Sequence, residues 1–427
     1  MKKLACLFQW LSVEIFFVFS VVSAIMFGVF STAVTKSMHL SSSQLGWLSG
    51  TFFIVYAITQ FYSGRLFVIF SMKWLLFIST LFAATGAIIF GMANSLFLMF
   101  FARILLGIGL ASSFVGVLFV IQNNFTGKFF PVMSSLSQSI ANLSAGLFGF
   151  LASIIIARYN YKISFEVLGC VFGVCGCLIV LFFKDGNVLV RQQKQPSFIT
   201  SIKVLLVNRN VWLATLYFTG LFGSILTFAD LFNVSFQIEA FHISYAEATI
   251  INSMIPFGLT VGGVLVGYWA QKMHNYIFPA RVFSFLALIM LSIMLFVKFK
   301  VSYSVEIIAI VAFIFGMGCS GSILAFQCVQ NSIENPLLRP LATSFVLTFS
   351  YIFSGLIEQP LVGRLISSAN TTVQNLIITN HSVVNQLFYT SIVKDGWVKY
   401  NHGLYLVLIT VAISFISSLL FKQDCVR

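Results

Sequence analysis

Phe101-Ala-Arg103-Ile-Leu-Leu-Gly107-Ile-Gly109-Leu-Ala111-Ser-Ser113 places a single guanidinium inside an apolar run. An arginine in that setting costs about 2.5 to 3.5 kcal/mol on insertion scales and is tolerated where it faces a protein interior or a wet cavity. Gly107, Gly109 and Ala111 strip bulk from the same helix and let another helix approach closely. A charge beside a smooth helix face, deep in a membrane, points to a translocation path.

The sequence on either side fits that setting. Of the 427 residues, 59% are apolar and 8% charged, against about 25% charged in ordinary soluble domains. Mean hydropathy is +1.00, and the fifty phenylalanines suit lipid-facing surface. A membrane-crossing helix needs about 20 apolar residues. Twelve runs meet that length: 10–32, 45–67, 74–93, 96–121, 129–157, 164–183, 211–237, 245–270, 277–298, 303–328, 341–366 and 402–421. The expected class is an all-α integral membrane protein with twelve spans in two six-helix bundles. The boundary is the polar stretch Lys184 to Lys203. The expected units are residues 1–183, a cytoplasmic linker 184–210, and residues 211–427. A short amphipathic helix on the membrane surface is expected near 198–206. A second long loop, 367–401, lies outside before the last span and holds the glycosylation-type triplet Asn370-Thr-Thr372.

Basic residues set the orientation. With an inner N-terminus, fifteen of the 24 fall in inner segments, eight in outer ones, and Arg103 within the membrane. Both termini are therefore expected in the cytoplasm. The same bias accounts for the net charge of +13. No basic patch interleaves with exposed aromatics, so no nucleic-acid partner is expected. Lys2-Lys3 precede an apolar run, but Glu14 interrupts it and its length exceeds a signal peptide, so no cleavage is expected. The seven cysteines all fall in spans or inner segments, so no disulfide is expected. The five histidines are scattered through loops, and no metal spacing, phosphate loop or nucleophile elbow appears. An enzyme, a metal site and a cofactor are not expected.

Six plus six spans around a basic linker resemble the major facilitator superfamily. Arg103-Ile-Leu-Leu-Gly107-Ile-Gly109 is similar to the family's fourth-helix motif. Gly64-Arg65-Leu66, running to Lys73, stands where the loop between the second and third helices carries its signature, and Gly267-Tyr-Trp-Ala-Gln271-Lys272 stands in the matching loop of the second half. A narrower likeness, to the phagosomal-transporter-like branch of bacterial importers, rests on Leu45-Gly46, Gln60, Ala111-Ser-Ser-Phe114-Val-Gly116, Glu334-Asn335-Pro336 and Gln359-Pro360-Leu361-Val362-Gly363. The family loop usually carries an aspartate and an arginine that latch the inner gate. Val68 and Ile69 stand there instead, which leaves open a sensor of the same fold that does not transport.

The resemblance implies alternating access, with the first, fourth, seventh and tenth helices lining a midplane cavity. Arg103 then binds an anionic group or tunes the proton affinity of a nearby carboxylate, or else serves as a structural salt bridge or carbonyl clamp. Asp230, Asn233 and Gln237 fall at i, i+3 and i+7, so an α-helix sets them on one face. Asp230 is the better candidate for a proton-coupling carboxylate. Glu14 and Glu358 are further membrane carboxyls. Gln138 and Asn142 share a face, with Asn252 as their counterpart, to bind a polar solute or each other. Gln359-Pro360 is a gate and bend, because proline removes a backbone donor. Gly258, Gly262, Gly263 and Gly267 are packing devices on the eighth helix. The expected function is proton-coupled import of a small polar solute across the bacterial inner membrane by a monomer in the lipid bilayer. An amino acid is favoured, since a zwitterion needs both Arg103 and Asp230. A siderophore or a nucleoside is the alternative.

Overall fold

A computed structural model describes residues 2–124, 130–156, 160–183, 198–273, 275–297, 304–335, 338–368 and 396–421. Among the described residues, twelve helical segments fall on the twelve apolar runs, and ten of them are long and apolar enough to cross a membrane. The twelve are α1 (Lys2–Val29), α2 (Ser42–Ile69), α3 (Met72–Met92), α4 (Leu96–Ile121), α5 (Phe130–Ile156), α6 (Tyr161–Phe182), α7 (Arg209–Phe241), α8 (Tyr245–Met273), α9 (Ile277–Phe296), α10 (Val305–Ser332), α11 (Leu341–Ser368) and α12 (Gly396–Leu419). Large apolar side chains are exposed along most of them, such as Phe97, Val167, Tyr268 and Ile310, as lipid contact requires. Between the halves, Phe198–Val207 forms the short helix expected there. Residues 184–197 of the linker and 369–395 of the long loop, with Asn370, lie outside the described residues.

The two halves repeat one packing plan. In the first, α1 packs on α4, α5 and α6, and α3 packs on α4 and α6. In the second, α7 packs on α10, α11 and α12, and α9 packs on α10 and α12. The strand of contacts joining the halves is equally paired: α2 lies on α11, α5 on α8, and α1 on α7. The two non-glycine residues with positive φ, among those described, are His39 (52°) and His242 (55°). His39 ends a short helix, Ser31–Met38, that follows α1, and His242 ends α7, each in a left-handed turn that precedes a cap on the next helix. In the first half Ser41 accepts from the Gln44 backbone N–H while the Gln44 side chain accepts from Ser41 N–H. In the second, Ser244 and Glu247 exchange the same two bonds.

Among the described residues, three spans change helix type along their length. α7 widens to a π-helix over Ile225–Phe232, and α11 does so over Phe353–Glu358. α10 tightens to a 3-10 turn at Ser320–Ile323. Pro360 stands two residues beyond the wide turn of α11 and cannot supply a backbone donor to the preceding turn. Segments of this kind gather at functional sites, and all three border the space between the halves.

The first and last described residues, Lys2 and Phe421, fall on one face of the molecule, here called the terminal face, because the described spans are even in number. The opposite face is shut. Gly50 meets the Gly355 carbonyl, Gly46 meets that of Gln359, and Gly363 meets that of Ser42, so a Cβ at any of them would strike the other half's backbone. Gly28 on α1 is held equally close to the Asp230 carbonyl on α7. Hydrogen bonds cross the same seam. Tyr245 donates its hydroxyl to the Val29 carbonyl, Ser43 N–H donates to Ser367 Oγ at 3.2 Å, and Thr32 and Ser235 share a proton at 3.2 Å.

Candidate functional site

Below that seam a cavity of about 600 Å³ separates the halves. It runs from Asp230 and Ala145 towards Gln60 and Gly267, in the later turns of α2 and α8 at the terminal face. Side chains from α1, α2, α4, α5, α7, α8, α10 and α11 line it. Its wall is mostly apolar and aromatic, with a few amides and hydroxyls, as in small-molecule sites generally. Its size falls in the usual range of about 300 to 1,000 Å³ for such sites.

Asp230 lines this cavity on the wide turn of α7. No hydrogen bond or ion pair to another described residue engages its carboxylate, although Tyr351 is within electrostatic reach. Asn233 and Gln237 do not share its surface. The wide turn runs through Phe232, so the regular i, i+3, i+7 alignment is broken and the expected single stripe is split. Asn233 is buried and donates to Asn252 Oδ1 at 2.7 Å, and Gln237 donates to Asn233 Oδ1 at 3.1 Å. This amide chain ties α7 to α8 behind the cavity, and Asn252 alone of the three reaches the lining. Gln138 and Asn142 both line the cavity from α5, and Gln138 donates to Asn142 at 3.2 Å.

Arg103 is 1% exposed and is not part of the lining. Its Nε donates to the Leu48 carbonyl at 3.2 Å and an Nη to that of Ser49 at 3.3 Å. The rings of Phe27 and Phe52 lie 4.2 and 4.5 Å from it. Of the roles open to it, the clamp on carbonyls is the one this geometry matches. It ties α4 to the turn of α2 that forms the seam. No ion pair joins it to Asp230 among the described residues. Gly107 fits against the Phe52 carbonyl and Gly109 against the backbone of Ala83, so the two glycines admit α2 and α3 on different sides of α4.

Glu358 is fully buried at the end of the wide turn of α11. Thr227 is 2.8 Å from its Oε2, Ser354 3.3 Å from the same oxygen, and Thr410 2.8 Å from Oε1. The single hydroxyl hydrogen of Thr410 also has the Val407 carbonyl at 2.8 Å. Gln359 donates from Nε2 to the Leu226 carbonyl at 2.9 Å, and so bridges the two wide turns. Glu14 is 2% exposed, so it does not reach a water interface; it sits beside Ser137 of α5, to which Trp10 donates at 3.1 Å. On α8 the packing expectation holds for one face only. Gly258 and Gly262 press on Phe313 and Met317 of α10, whereas a Cβ on Gly263 or Gly267 would meet open space, because both face the cavity. Lys73 lies at the start of α3 with Nζ 5.9 Å from the Trp74 ring. The side chains at Gly64, Val68 and Ile69 lie outside the described residues.

Sequence reasoning missed the aromatic wall. Phe53 and Tyr351 stack across the halves with centroids 6.0 Å apart, Tyr56 and Tyr351 lie 5.1 Å apart, and Phe222 meets Tyr351 edge-on at 5.4 Å. Phe52-Phe53 and Tyr56 one turn later were a usable signal, lost among fifty phenylalanines.

Paired six-helix bundles around a central cavity are an architecture shared by secondary transporters of the membrane. A profile of the Major Facilitator Superfamily matches residues 15–367, and the chain belongs to that superfamily. It is similar to a Bacillus subtilis (strain 168) protein named "Uncharacterized transporter YybO", 20% identical over 401 residues, covering 86% of this chain and 89% of that protein. In fold it is similar to a bacterial homolog of the human lysosomal transporter Spinster, in an inward-facing and unoccupied conformation, with a TM-score of 0.72, 14% identity and 98% of each chain covered. The nucleoside transporter NupG is also similar, with a TM-score of 0.67, 12% identity, and 98% of this chain and 100% of that chain covered.

Proposed function

We propose that this protein imports a small polar solute by alternating access, coupled to protons, across the bacterial inner membrane. The observation that carries the reading is a cavity open towards one face and sealed on the other by contacts that all run between the two halves. A seam made of backbone-to-backbone glycine contacts can part as two rigid bodies rock, without unfolding either. With both termini in the cytoplasm, as the basic residues favour, the cavity opens inward. The direction of transport rests on the likeness to the importer branch.

Glu358 supports the coupling. Its carboxyl is buried with hydroxyl partners and no cation among the described residues, and an unpaired carboxylate there is expensive. Thr410 cannot donate to Val407 and to Glu358 with one hydrogen. A proton on Oε1, donated to Thr410, satisfies every group. Releasing that proton leaves a charge between the wide turns of α7 and α11, which favours another arrangement of both. Asp230 is then free to meet the solute.

Reconstituted into proteoliposomes, the wild type accumulates a labelled solute only with an inwardly directed proton gradient. Glu358→Gln keeps the hydroxyl contacts and removes the titration, so it is expected to lose gradient-driven accumulation and to keep solute exchange. Accumulation that ignores the gradient removes proton coupling, and unchanged accumulation in Glu358→Gln removes this residue from it.

The amino-acid reading needed Arg103 and Asp230 in one cavity. With Arg103 committed to Leu48 and Ser49, a solute carboxylate has no cationic partner among the described lining residues.

A further inference from the structure

We infer that the solute is an organic cation, an amine or quaternary ammonium carrying an apolar or aromatic body. The inference deepens the transport reading and depends on it for its physiological sense, but concerns the binding cavity itself. Three observations meet at one place. Asp230 is the only acidic residue among the described residues that line the cavity, and no lysine, arginine or histidine accompanies it. Its carboxylate has no hydrogen-bonding partner within the described protein, in contrast to Glu358 with three. The wall near it holds Phe53, Tyr56, Phe222 and Tyr351, packed ring against ring around Tyr351.

Each class of solute meets that arrangement differently. A cation pairs with Asp230 and lies against ring faces, each such contact contributing about 0.5 to 2 kcal/mol. A zwitterion brings its own carboxylate next to Asp230, with only neutral amides to receive it. An uncharged solute leaves Asp230 unpaired when the cavity closes over it, and a desolvated, unpaired carboxylate is strongly disfavoured. Of the three classes the cation is the one that brings Asp230 a counter-charge, where the others leave it to take up a proton. Cavity and ligand then complement each other in charge as well as in surface.

The test uses the purified full-length chain and four probes of one shape: phenethylamine, benzyltrimethylammonium, zwitterionic phenylalanine and uncharged 2-phenylethanol. Binding is read by calorimetry in detergent, and uptake separately in proteoliposomes. The two cations are expected to bind about tenfold or more tighter than the other two, the ratio that each 1.4 kcal/mol gives. Asp230→Asn should abolish that preference and Asp230→Glu should retain it. Tyr351→Leu should weaken the cations by about threefold to thirtyfold, with Tyr351→Phe close to wild type. A native melting profile shows that each variant is folded. Phenylalanine or phenylethanol binding as tightly as the amine overturns the inference. So does unchanged amine binding in folded Asp230→Asn, or no binding of either cation up to its solubility limit. Cation binding without uptake removes the transport reading and leaves the inference standing; preferential uptake of phenylalanine does the reverse.

Discussion

Arg103 shows how a membrane charge can be held by backbone carbonyls and rings without meeting a ligand, although one Nη has no hydrogen-bond partner among the described residues. Its fork reaches two successive carbonyls of α2, and the rings of Phe27 and Phe52 lie 4.2 and 4.5 Å from it. A lysine cannot reproduce a planar fork against two rings. Arg103→Lys is expected to destabilise the protein by about 2 kcal/mol, the range for a hydrogen bond to a charged group. Arg103→Met should cost less. The Leu48 and Ser49 carbonyls sit mid-helix, so removing the charge strands no buried partner, and replacing buried ions by apolar groups is often nearly neutral. Thermal unfolding in detergent orders the two variants. Amine binding should be unchanged in both, since Arg103 does not line the cavity; a selective loss of binding would place it in the site after all.

The seam between α2 and α11 is an element-scale device. Gly50 and Gly355 each lie against the other's carbonyl, so neither tolerates a branched side chain while the face is shut. Gly50→Val should hold the halves apart there. With spin labels on S43C and S367C, which flank the seam, the distance distribution is expected to shift to longer values in that variant. An unshifted distribution would mean that the helices accommodate the bulk elsewhere. Much at this scale was legible in the sequence. Twelve apolar runs of the right length became twelve helical segments, and the short helix after the linker appeared where its pattern lay. The repeated turns are present in the sequence too, as His39-Leu-Ser41-Ser-Ser-Gln44 and His242-Ile-Ser244-Tyr-Ala-Glu247, but six residues with two identities carry little signal by themselves. The wide turns were not legible. Reading faces from spacing assumes 3.6 residues per turn, and that assumption set Asp230, Asn233 and Gln237 on one stripe. Nor can spacing reveal what an arginine clamps when its partners are backbone carbonyls, which every residue has.

At the scale of the molecule, the two halves act as rigid bodies only if the seam opens during each cycle. S43C/S367C offers a lock as well as a ruler. Oxidising the pair to a disulfide should stop uptake while leaving amine binding from the open side intact, and reduction should restore uptake. Uptake that continues with the seam cross-linked would exclude rocking about this interface. Cavity composition also makes the cycle sensitive to voltage. Asp230 is the lone formal charge among the described lining residues, so a monovalent amine seated on it would leave the cavity electrically neutral. On the proposed cycle the empty carrier would return with both Asp230 and Glu358 charged, the latter after releasing its proton. Moving one elementary charge through the full field changes the energy by about 2.3 kcal/mol per 100 mV. A membrane negative inside would therefore leave the loaded step almost untouched and act on the return step, making the resetting of the empty protein the electrical work of each turnover.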